Sequence, residues 1–154
     1  MKSAVTIMLL VVFTQNILGA QDSNVTDKFW SVFVQGNIEQ LQEFYSDKVN
    51  LKPGSELLKP QWGLAKKGDR ATGKILSKPE LMRGYTTLIS KLGKGKWSNV
   101  FGSIKKDKIS SKTIDNSKTI LTVLTGPGDD YIEFEFALNA SKNKWEVVSE
   151  YTDF

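Results

Sequence analysis

A chain of 154 residues, 40% hydrophobic and 25% charged, suits one domain, and both fractions lie near the globular average. It contains no cysteine and no histidine. That excludes disulfide frameworks, zinc ribbons, iron–sulfur clusters, thiol nucleophiles, Ser-His-Asp triads and ordinary zinc or copper sites. Asp129-Asp130 could join a hard metal ion, but no calcium-loop spacing surrounds them and a hairpin turn explains them better, so no metal or cofactor is expected.

The first twenty residues read as an export signal. Lys2 gives the positive start and Ala4 to Phe13 the apolar run. Leu18-Gly19-Ala20 supplies the small residues that a signal peptidase requires. The run is far shorter than the ~20 residues needed to cross a bilayer. Cleavage after Ala20 leaves 21–154 as one mature domain, secreted or periplasmic and without a membrane partner once the signal is removed. An uncleaved anchor is the alternative. Asn24-Val25-Thr26 and Asn139-Ala140-Ser141 fit the glycosylation pattern and equally fit polar turns.

In the mature chain, Val25, Phe29, Val32 and Phe33 recur at helical spacing, and Gly36 breaks the pattern where a left-handed residue can end a helix. Asn37 with Gln40 suggests the start of a second helix, with Ile38, Leu41, Phe44 and Tyr45 on one face. Ser46-Asp47 is read as a turn into a short strand, Val49-Asn50-Leu51, stopped by Pro53-Gly54. Ser55 to Lys74 is irregular and contains Trp62. Ser77 and Glu80 then form a capping box, Pro79 fits the first turn, and Leu81, Tyr85, Leu88, Ile89 and Leu92 make one stripe up to Gly93.

The last third reads as strands around Ile109–Ile114, Thr119–Thr125 and Tyr131–Leu138, followed by a final strand on which Trp145, Val147 and Tyr151 share a face. Ile132, Phe134, Phe136 and Leu138 face one way, and Glu133 and Glu135 the other. Helices first and strands later indicate an α+β class with an antiparallel meander.

The order of elements resembles the NTF2-like (SnoaL-like) superfamily. The residues that carry the likeness are Phe29-Trp30 through Gly36-Asn37, Leu41, Phe44 to Asp47, Val49-Asn50-Leu51 and the closing Lys144 to Tyr151. The resemblance implies a cone in which three N-terminal helices pack on a curved antiparallel β-sheet around a pocket at its wide end. The family's ketosteroid isomerases use an aspartate base and an oxyanion-binding tyrosine. Alignment puts Lys52 and Phe29 at those positions, and neither can do the work. The isomerase chemistry is therefore not expected. On that alignment Phe29, Phe33, Lys52, Trp62 and Tyr151 are the expected ligand-binding residues, and no catalytic residue is assigned.

Other chemistry is weighed against plainer explanations. Glu133 and Glu135 lie about 7 Å apart on an extended strand, a spacing open to paired-acid hydrolysis or to a solvated outer face. Lys52 is a desolvated base or a strand-end lysine. The lysines gathered between Lys94 and Lys118 come with only two arginines in the chain, Arg70 and Arg83, and no nucleic-acid partner is expected. The leading expectation is non-catalytic binding of a small apolar or amphipathic ligand. A carboxylate-, tyrosine- or lysine-based lyase, isomerase or hydrolase, and a domain that forms a homodimer, are the alternatives. A buried carboxylate facing a tyrosine hydroxyl would favour the enzyme.

Overall fold

A computed structural model describes residues 24–128 and 130–153 of the protein. The export-signal expectation and its cleavage point lie outside those residues. The described chain opens in helix α1, residues 24–35, which buries Phe29 and Phe33 completely. Gly36 has φ +60°, and an added Cβ would sit 3.2 Å from Trp97 Cδ1, so both backbone and space favour glycine there. Asn37 caps α2 (Ile38–Leu41), its Oδ1 accepting from the Gln40 amide at 3.2 Å.

The second helix is shorter than its sequence suggests. After α2 comes one 3-10 turn, Gln42–Phe44, and strand β1 (Tyr45–Leu51) begins at once. Ser46 and Asp47 lie inside that strand and make no turn. The reason is tertiary: Tyr45 is fully buried and pairs alongside Val147 of the last strand.

The segment after β1 holds two 3-10 turns, Glu56–Leu58 and Pro60–Trp62, and the single-turn helix α3 (Asp69–Thr72). It returns through a short strand that the irregular sequence does not announce, β2 (Lys74–Ser77), antiparallel to β1. At their junction an added Cβ on Gly73 would lie 2.7 Å from the Leu51 carbonyl oxygen, and φ is +76°. Helix α4 (Lys78–Leu92) starts at the expected capping box, with Glu80 accepting from the Ser77 amide at 2.9 Å and hydroxyl at 2.6 Å. It ends at Gly93, φ +84°. A further helix, α5 (Lys94–Gly102), follows directly, and Trp97 anchors it by donating its indole N–H to the Phe33 carbonyl at 2.7 Å.

Strands β3 (Ile109–Asp115), β4 (Lys118–Leu124), β5 (Tyr131–Asn139) and β6 (Lys144–Thr152) form the meander. The six-stranded sheet has the order β2-β1-β6-β5-β4-β3. It is mixed, because β1 runs parallel to β6 while the other neighbours are antiparallel. The two longest helices after α1 lie in mid-chain, so the expected grouping of three helices before an antiparallel sheet is corrected to an α+β fold whose helices are interleaved with strands. Among the described residues no helix is long and apolar enough to cross a membrane.

One face of the sheet carries the core. Phe29 packs against Phe134 and Phe136 at ring-centroid distances of 4.6 and 5.2 Å, and Phe33 against Phe134, Trp97 and Phe101. These aromatics fill the space between α1 and the sheet. On the opposite face, Lys52 pairs with Glu133, Lys118 with Glu135 at 2.9 Å, and Tyr131 lies against Tyr151 at 4.9 Å.

Candidate functional site

Two features of the helix-bearing side carry chemistry. The first is a cleft of about 230 Å³ where α4, α5 and the two 3-10 turns meet. Helix α4 contributes Leu88 and Leu92, one turn apart on its stripe. Helix α5 contributes Lys96, Trp97, Val100 and Phe101, the aromatic pair again at i, i+4 with centroids 4.4 Å apart. Glu56 and Trp62 close the third side. The walls are almost wholly apolar, as in a site that takes an apolar molecule and orients it with few polar groups.

Trp62 is the most particular of these walls. Lys91 holds its ring, with the ammonium 5.3 Å over the centroid while donating to the Gln61 carbonyl at 2.9 Å. Its indole nitrogen is buried and has no hydrogen-bond partner. Leaving such a donor unmet costs about 1–3 kcal/mol. Glu56, also buried, is balanced by Lys59 at 2.6 Å and Arg70 at 4.0 Å. On the other side of Trp62 lies a more polar hollow bordered by Glu80, Arg83 and Thr87. There Gly84 lets Leu64 touch α4, since an added Cβ would meet Leu64 Cδ1 at 2.2 Å.

The second feature is a buried ring of polar groups. Glu150 accepts from the Tyr45 hydroxyl at 2.6 Å and from the Tyr85 hydroxyl at 3.1 Å, and the two hydroxyls lie 3.5 Å apart. All three residues have zero solvent exposure. Desolvation raises the Glu150 carboxyl from its ordinary value of 4.5 to about 7, against the pull of the two hydroxyl donors. Both tyrosines are held well above their usual range, first by burial and next by the Glu150 charge. With Glu150 neutral, its proton goes to the Tyr45 oxygen, Tyr45 donates to Tyr85, and Tyr85 donates back to the other carboxyl oxygen. The ring then closes with every polar atom satisfied.

A β-bulge brings Glu150 inside. Phe136 pairs with Val147 but Glu135 pairs with Ser149, so Val148 is the extra residue. Val147 and Glu150, three apart, therefore both point into the core, and Tyr151 points out. The expectation that Trp145, Val147 and Tyr151 share a face fails at this bulge.

Of the five expected ligand residues, Trp62 alone lines the apolar cleft. Phe29 and Phe33 are sealed in the aromatic core and border neither hollow. Lys52 lies on the outer sheet face in its pair with Glu133, and Tyr151 lies there too, its hydroxyl 3.4 Å from Asp153. The alignment-based grouping is thus divided between core, outer face and cleft. Glu133 and Glu135 each hold a lysine, an arrangement unlike a pair of acids sharing one substrate. Sequence reasoning missed Glu150, Tyr45 and Tyr85 as a group, and missed the α5 side of the cleft. The Trp97/Phe101 spacing was the one available signal for the latter.

No family model matches the chain, and no curated protein sequence does. Among solved structures it is similar to a DUF4783 family protein from Bacteroides ovatus, at 14% identity and a TM-score of 0.42, over 79% of this chain and 86% of that one. It is also similar to a DUF4783 family protein from Bacteroides uniformis, at 14% identity and a TM-score of 0.38, over 80% of this chain and 94% of that one.

Proposed function

We propose that this chain is an exported NTF2-like domain that binds a small apolar or amphipathic ligand without chemistry, in the cleft between α4, α5 and Trp62. The carrying observation is an apolar cleft whose wall holds a buried indole N–H with no acceptor. A ligand acceptor reached by a small adjustment of Trp62 would offset that unmet donor, and the left-handed Gly63 beside it gives the turn room to adjust. The NTF2-like reading draws support from the order of α1, β1, α4 and the meander, with the helices on one face of a single sheet.

The test is mass spectrometry of small molecules retained by the purified protein, wild type beside Trp62→Ala. The wild type is expected to retain an apolar compound that the variant loses. Retention of nothing by either protein removes the proposal.

A second reading, acid–base catalysis, is favoured by one observation: a buried carboxyl titrating near neutrality against two tyrosine hydroxyls. Its weakness is access, because none of the three groups is exposed. Homodimer formation, the third, is checked by light scattering across a concentration series; a constant monomer mass rejects it.

A further inference from the structure

Val100 and Phe101 of α5 form a wall between two hollows. On one side is the apolar cleft; on the other is a wider open cavity of about 590 Å³, reaching Ile104, Lys105 and Lys108 on one edge and Leu124 on the other. The floor is apolar and wetted: Val100 is 50% exposed and Leu124 40%. Val100 and Phe101 belong to both hollows, and such exposed apolar surface is suited to the tail of a guest molecule.

The rim is cationic. Lys96 stands on the cleft, and Lys105 and Lys108 stand on the cavity, all three exposed. Among the described residues none of them is engaged in an ion pair, whereas Lys52, Lys59, Lys74, Lys118 and Lys142 each are. Of the carboxylates on the two linings, Glu56 is already held by Lys59 and Arg70, and Asp130 is a single exposed charge. The stretch Lys94–Lys118 carries seven lysines against two aspartates, a larger excess than the +4 of the whole chain. Of these seven, Lys118 is paired with Glu135 on the outer sheet face, while Lys96, Lys105 and Lys108 border the hollows without an ion pair among the described residues.

A neutral apolar ligand would use the floor and leave the ammonium groups unmatched. A small inorganic anion would use the ammonium groups and leave the floor wet. A molecule with both parts satisfies both. Resting on the ligand-binding reading above, we infer that the ligand is a soluble amphipathic anion. Its short acyl or aryl tail lies between α4 and α5, and its carboxylate or similar oxyanion head sits at Lys105 and Lys108.

Calorimetric titration with decanoate, decanol and acetate tests this, on the wild type and on Lys105→Gln/Lys108→Gln, two exposed changes that leave the core intact. Decanoate is expected to bind the wild type roughly tenfold more tightly than decanol at low salt, with acetate giving no heat. In the double variant, that preference should fall below about twofold while decanol binding is unchanged. Equal affinity for decanoate and decanol in the wild type overturns the inference but leaves the apolar cleft standing. A preference that survives in the double variant, or acetate binding as well as decanoate, also overturns it. Failure of both ten-carbon probes removes the ligand-binding reading itself.

Discussion

Glu150 shows how one side chain can set the response of a whole protein to pH. In the unfolded chain it titrates near 4.5, and in the folded chain near 7, so between those values the native state binds more protons than the unfolded one. Its contribution is therefore complete below the lower value, is lost as pH rises through the window, and stays lost above it. The size is about 3 kcal/mol. Urea midpoints measured at pH 5 and pH 8 should show the wild type losing stability at the higher pH. Glu150→Gln should be nearly insensitive, because its amide can donate to Tyr45 and accept from Tyr85 in the same ring. A wild type equally stable at both values contradicts the assignment. Asn139 is a second residue whose role is local. Its Nδ2 donates to Glu146 at 3.0 Å and its Oδ1 accepts from Ser141 at 2.7 Å, so this side chain builds the β5–β6 turn.

Among the elements, those whose ends are written in local chemistry fall where the sequence puts them. Helix α4 is bounded by Ser77/Glu80 and Gly93, signals that act within one turn of chain. Ser77→Ala should lower stability by about 1 kcal/mol, read as a drop in the urea midpoint without a change of slope. An unaltered midpoint would mean that the box adds nothing beyond packing. Elements defined by partners behave differently. Tyr45 to Asp47 reads as helix end and turn, yet it becomes strand because Tyr45 pairs alongside Val147 of β6. The bulge at Val148 leaves no mark in a run of alternating residues, and it decides whether Glu150 or Tyr151 enters the core. Helix α5 has glycines at both ends and lysines along it, a poor helical stripe; its place depends on Trp97 reaching Phe33.

At the scale of the molecule, the parallel β1–β6 pair joins the opening and closing parts of the domain, and the Lys52 amide extends the join by donating to the Glu150 carbonyl at 2.9 Å. The chain between them, with α4 and α5, must therefore return across one face of the sheet, and that return forms the clefts. Charge is segregated on the same scale: paired lysines and glutamates lie on the outer sheet face, and lysines without an ion pair among the described residues border the hollows. The export reading also belongs here. Expression in a host with a secretory pathway should yield a protein starting at Gln21, measured by intact mass. A secreted protein that still carries Met1 to Ala20 rejects the cleavage site.

The sequence by itself determined the α+β class, the capped helix α4, the strands of the meander and the absence of thiol and imidazole chemistry, because each depends on composition or on contacts a few residues apart. Only the tertiary structure decided that β1 begins at Tyr45 and runs parallel to β6, that Phe29 and Phe33 fill the interior, and that Lys52 faces outward. The same holds for Glu150, which meets two tyrosines 105 and 65 residues away in the chain. Burial and strand register join residues so far apart that no local pattern records their meeting.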